Sequence, residues 1–112
     1  MFLYEYLKMK RVAFKMHLNS GQKKEYVKRH KAIWPELKAE LTKAGIEEYS
    51  IFLDEETDTL FAFQKVTGDT NSQNLGELEI IKKWWKYMAD IMEINTDNSP
   101  VTEMLEEVFN ME

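Results

Sequence analysis

From position 10 the chain alternates. In "KRVAFKMHL", Val12, Phe14, Met16 and Leu18 fall on one side and Arg11, Lys15 and His17 on the other, the two-residue period of a strand with one buried face. "NSGQ" follows, with Asn19 or Ser20 placed to cap a helix and Gln22 placed to return a reciprocal bond. The period then lengthens: Tyr26, Val27, His30, Ile33, Trp34, Leu37 and Leu41 recur close to every 3.6 residues. Pro35 disfavours helical geometry at Trp34, so a break is expected there, with Pro35 in the first turn of a second short helix that ends at Gly45.

Two-residue alternation returns in "EYSIFL" (48–53) and "TLFAFQKV" (59–66), which flank the turn "DEETD" and read as a hairpin. Ile51 and Leu53 are expected on one face with Tyr49 and Phe52 nearly opposite, and Phe61 and Phe63 opposite Leu60 and Ala62. "TGDTNSQNLGE" is loop-like, and a helix is expected from about Glu77 to Met92. That helix carries two apolar stripes, Leu78, Ile81, Trp85, Met88 and Met92 on one and Ile80, Trp84, Tyr87 and Ile91 on the other. The tail "VTEMLEEVFNM" fits a helix or a strand equally well. The order β-α-β-β-α-(β) predicts an α+β fold, a ferredoxin-like antiparallel sheet with helices on one face. Because the hairpin is apolar on both faces, the open face must be covered by a ligand or by a second subunit, and a homodimer is the simplest solution.

Composition narrows this further. A chain of 112 residues with 44% hydrophobic content has the size and apolar content of one domain with a real core. It has no cysteine, which fits a reducing cytosol. No apolar run approaches the roughly 20 residues of a membrane span, and "MFLYEYLKMK" lacks the layout of a signal peptide. Residues 1–44 hold eleven Lys/Arg against four Asp/Glu, and residues 45–112 hold four against sixteen, so the net charge of −5 divides into +7 and −12. No nucleic-acid motif accompanies the basic half. The expectation is that the halves interleave and neutralise each other, with no nucleic-acid partner.

Familiar chemical signatures are missing. None of the four serines lies in a Gly-x-Ser-x-Gly elbow, and four scattered glycines make neither a phosphate loop nor a dinucleotide fingerprint. His17 and His30 lack metal-ligand spacing, and "NTDNSP" has Pro100 where a calcium loop needs glycine, so no metal is expected. What remains is Tyr26 and His30, i and i+4 on one helix face, with Trp34 one turn further on. That pair suits either a packed, satisfied histidine or a general acid/base that titrates near neutrality. Trp84 and Trp85 suit either a helix buried on two sides or indoles lining a pocket.

"EYVKRHKAIWPEL" (25–37) and "WWKYMADIMEINTDNSPVTEMLEEVF" (84–109) resemble the L-rhamnose mutarotases, as does the hairpin "YSIFLDEETDTLFAF". The likeness runs from about Met9 to the C-terminus. It implies a mutarotase domain over 9–112 preceded by an extension over 1–8. It also implies dimeric ferredoxin-like α+β barrels, cytoplasmic, that interconvert the α and β anomers of L-rhamnose with no cofactor. Carried over position by position, the resemblance assigns the proton donor to His30 and substrate contacts to Tyr26, Tyr49, Trp84 and Trp85. The rival expectation from architecture alone is a small-ligand-binding or monooxygenase-type member of the same barrel group.

Overall fold

A computed structural model describes residues 9–111. The expected N-terminal extension, residues 1–8, lies outside the described residues. The elements run β1 (Met9–His17), α1 (Lys23–Lys31), α2 (Pro35–Lys43), β2 (Ile46–Asp54), β3 (Thr59–Thr67), α3 (Glu79–Met88) and β4 (Glu103–Leu105). All strand pairs are antiparallel, in the sheet order β2-β3-β1-β4. The helices pack on one face, so the α+β, ferredoxin-like expectation is borne out.

The alternation in β1 does what its period requires. Phe14 and Met16 lie directly across from Ala62 and Leu60 of β3, whose other neighbours are Ile51 and Leu53 of β2. These side chains meet Tyr26, Leu37, Ile81 and Met88 from the helices in one core. Phe14, Leu37, Leu60 and Val66 are the large side chains most completely withdrawn from water, each contributing about 1.5–3 kcal/mol of burial. Pro35 occupies the first position of α2 behind an extended Trp34, as the steric argument demands. Gly45, at φ +88° with Thr67 Cβ 3.1 Å from where a Cβ of its own would sit, closes that helix and turns the chain into β2.

Four local readings are corrected or resolved. Gln22, not Asn19 or Ser20, occupies the N-cap of α1, and no side chain caps it. A turn closed by Gln22 N–H donating to the Asn19 carbonyl, with Gly21 at φ +80°, intervenes and delays the helix. The second long helix is shorter than expected, giving way after Met88 to a 3₁₀ turn over Ala89–Ile91. The ambiguous tail resolves as a three-residue strand along β1, tied by Glu103 to His17 and Lys15.

The fourth correction concerns Tyr49, which shares the helix-facing side of β2 with Ile51 and Leu53. Alternation is regular back from Leu53 to Tyr49 and breaks one step earlier. There a bulge between Glu47 and Ser50, with Glu48 at φ +47°, sets two residues of β2 against one of β3. Ile46 and Tyr49 therefore both face inward, and Tyr49 lies beside Gln64.

The opposite face stays open. Phe52 and Phe63, 63% and 44% exposed, meet edge to face there at 5.8 Å. The charge halves interleave as expected: Lys10 pairs with Asp69, Arg11 with Glu107, Lys23 with Glu55 and Arg29 with Asp90. Among the described residues, no helix is long and apolar enough to cross a membrane.

Candidate active site

A cavity of about 770 Å³ opens between the helices and the sheet, within the size range of small-molecule sites. Tyr26, His30, Tyr49, Trp84 and Trp85, the five residues the resemblance assigned, all line it, while His17 and Trp34 do not. Met16, Leu18 and Leu60 add apolar wall, while Lys23, Lys31, Glu47 and Glu48 stand at the solvent side.

His30 sits in the last turn of α1, immediately before Pro35 forces the chain out of the helix. Its ring stacks on Tyr26 at 4.2 Å and 23°, and meets the Trp84 ring edge on at 5.4 Å and 85°. Nδ1 lies 3.1 Å from the Tyr26 backbone carbonyl. A carbonyl only accepts, so Nδ1 carries the hydrogen and donates it, and in the neutral ring Nε2 holds a lone pair. Nε2 has no partner among the described residues, where no side-chain nitrogen or oxygen is buried without one. Nε2 is therefore open to the cavity. Burial lowers the imidazole pKa below its usual 6.5, opposed in part by the bond to the Tyr26 carbonyl. The ring is thus neutral at pH 7.

Burial has the opposite sign for the phenols. It pushes Tyr26 far up, helped by the nearby Tyr49, and it raises Tyr49 against hydrogen bonds from Ser72 and Gln64. Both remain protonated at neutral pH, and the Tyr26 hydroxyl, like Nε2, is unpaired and open. The cavity thus offers one lone pair on a basic nitrogen beside two phenolic hydroxyls, on a floor of apolar and indole carbon. Among the described residues, no group of three or more His, Cys, Asp and Glu side chains is arranged to hold a metal ion.

The sequence profile described as L-rhamnose mutarotase matches residues 11–111. The chain belongs to the L-rhamnose mutarotase family. It is 64% identical over 104 residues to an L-rhamnose mutarotase of Formosa agariphila, covering 93% of this chain and 100% of that one. The mutarotase of Bacteroides thetaiotaomicron is 62% identical over 104 residues, with the same coverage of 93% and 100%. A crystal structure of the Formosa agariphila mutarotase superposes with a TM-score of 0.86 at 62% identity, covering 92% of this chain and 99% of that one. A conserved protein from Methanosarcina mazei, at 12% identity and a TM-score of 0.60 over 94% and 98% of the two chains, shares the fold alone.

Two features of this mutarotase-family site escape a reading by spacing. Arg29, next to His30, donates to Asp90 at 2.8 and 3.2 Å, to Glu25 at 2.8 Å and to the Tyr87 carbonyl at 2.7 Å, with its guanidinium 4.6 Å over the Tyr87 ring. It clamps α1 onto the end of α3 and so sets where His30 meets Trp84. Those bonds hold the Asp90 carboxyl below its usual range. Only the Glu25–Arg29 pair was visible as i,i+4 spacing. The second feature is a buried polar group, Gln64 and Ser72, only 2% and 5% exposed, beside Tyr49. Gln64 stands in phase with Leu60, Ala62 and Val66, and that phase was the available signal.

The two indoles are also distinguished. Trp84 is wedged among His30, Trp34 and Tyr87. Trp85 instead lies over Gly76, where an added Cβ would come within 2.8 Å of Cζ3. Gly76→Ala is therefore expected to destabilise the fold by about 1–3 kcal/mol in urea unfolding, because packed indole must shift. An unchanged midpoint would mean that Trp85 yields freely and is not a fixed wall.

Proposed function

We propose that this chain is an L-rhamnose mutarotase, an isomerase that opens and recloses the sugar ring with His30 as the proton carrier. The single observation behind the roles is the donor bond from His30 Nδ1 to the Tyr26 carbonyl, which leaves Nε2 as the one imidazole lone pair among the described residues that line the cavity. High identity over 93% of the chain to proteins named for this activity supports the substrate.

Ring opening then proceeds without a covalent intermediate. Nε2 takes the proton from the anomeric hydroxyl O1. The O1–H electron pair forms C1=O1, the C1–O5 bond breaks with its pair passing to O5, and the imidazolium returns the proton to O5. Rotation about C1–C2 presents the other carbonyl face, and the same steps reversed close the second anomer. Tyr26 and Tyr49, held protonated by burial, donate hydrogen bonds to the oxygen that carries transient charge. The indoles of Trp84 and Trp85 wall the pocket, and the sugar's 6-methyl gains about 0.8 kcal/mol from an apolar contact.

A homodimer belongs to the same reading. Phe52 and Phe63 on the open sheet face, and Val108, Phe109 and Met111 on the tail, are exposed apolar side chains that a second copy would cover, closing an α+β barrel. The cytoplasm is the proposed setting, in keeping with a chain that uses no cysteine.

Saturation-transfer NMR between the two anomeric protons measures the exchange directly. His30→Ala should slow it by about 10²–10⁴-fold, and wild-type exchange in that variant would remove His30 from the mechanism. The neutral ring is the working form, so the wild-type rate should fall only below pH 6.5, at the lowered pKa. Stability should decline over the same range, because the unfolded chain takes up the proton first. By sedimentation the wild type should exceed its monomer mass of 13.4 kDa twofold, and Phe63→Asp should halve it. A wild type that sediments as a monomer would refute the dimer.

A further inference from the structure

We infer that Gln64 and Ser72 form a directional hydrogen-bond relay that holds the Tyr49 hydroxyl as a donor into the cavity, making both positioning residues for anomer exchange. This rests on the mutarotase reading above and extends it to residues that no resemblance assigned.

The direction follows from what each group can do. The Ser72 backbone N–H can only donate, and it lies 3.2 Å from Gln64 Oε1, which fixes the orientation of that buried amide. Gln64 Nε2 must then face Ser72 Oγ, and it donates there. Gln73 Nε2 donates to the same oxygen at 3.1 Å. With both lone pairs taken, the single Ser72 hydroxyl hydrogen goes to Tyr49 Oη at 3.4 Å. Tyr49 Oη accepts from protein, so its own hydrogen is left for whatever occupies the cavity that Tyr49 and Ser72 both line.

The register of β2 makes this possible. Ser50 pairs with Phe63 and Ile51 with Ala62, which sets Tyr49 beside Gln64, and the bulge that adjoins them turns Ile46 inward as well. A buried amide opposite a sugar site is costly unless every group is paired, and among the described residues these are. Functionally, the relay complements His30. The imidazole brings a lone pair, and Tyr49 brings a donor whose direction is set before the sugar arrives. During opening that donor meets the oxygen on which negative charge develops, the position where a pre-aimed donor lowers the barrier most.

The test is a double-mutant cycle of Ser72→Ala and Tyr49→Phe, with kcat and KM for L-rhamnose anomer exchange measured by saturation transfer. Ser72→Ala should lower kcat by about 10–100-fold, within the range for loss of a pre-aimed donor or its alignment, and change KM far less. In the Tyr49→Phe background, Ser72→Ala should add nothing, because the relay has lost its terminus. Losses that multiply in the double variant, or a wild-type kcat in Ser72→Ala, would overturn the relay while leaving the activity intact. Ser72→Cys keeps the volume with a weaker donor and should fall between wild type and Ser72→Ala. If Ser72→Ala does not fold, a wild-type rate in Ser72→Cys overturns the proposal in its place. An inactive wild type overturns the mutarotase reading itself, and the relay's role with it.

Discussion

The hydrogen bond from His30 Nδ1 to the Tyr26 carbonyl is the constraint on which the site depends. It is local, spanning one helical turn, yet it settles three things together. It chooses the tautomer, it stacks the imidazole on the Tyr26 phenol, and it turns Nε2 toward the cavity. Burial then keeps that nitrogen unprotonated at neutral pH while keeping both phenols protonated. One environment, acting with opposite sign on imidazole and phenol, supplies an acceptor and donors side by side.

The fold supplies what a single turn of helix cannot. Arg29 ties α1 to the end of α3 through Asp90 and the Tyr87 carbonyl, so the residue next to the imidazole is anchored 61 positions away. The two sheet faces carry separate duties, with the cavity between sheet and helices and the aromatic surface of Phe52 and Phe63 on the far side. A substitution beneath the helices therefore reaches the cavity or the core, and one on the open face reaches neither.

How much was legible in the sequence follows the range of each interaction. Tyr26 and His30 share a face by i,i+4 spacing, and Pro35 announces the helix break, so both were readable from neighbouring residues. The adjacent tryptophans raised the question of two stripes, and the structure answers that both line one cavity, Trp84 against aromatic rings and Trp85 over Gly76. The Gly76 contact was unreadable because no local pattern says which glycine an indole will cover. Tyr49 was misplaced against the strand's own alternation, which runs in phase from Leu53 through Ile51 to Tyr49, while the bulge further back, which turns Ile46 inward as well, is not announced by the sequence. Gln64 was signalled only by its phase with Leu60, Ala62 and Val66, and Ser72 sits in a 3₁₀ turn where no periodicity marks a buried side chain. The Arg29–Asp90 clamp was hidden because its partner lies 61 positions away in another element. Local periodicity carried the elements and set Tyr26 and His30 on one face, the resemblance supplied the role proposed for His30, and the surrounding contacts came from the tertiary structure.

The most direct measurement is the ¹⁵N NMR spectrum of the His30 ring at neutral pH, without and then with L-rhamnose. A protonated Nδ1 and a bare Nε2 are expected in the free protein, with the Nε2 resonance moving when the sugar binds. A hydrogen on Nε2, or an Nε2 signal indifferent to saturating sugar, would contradict it.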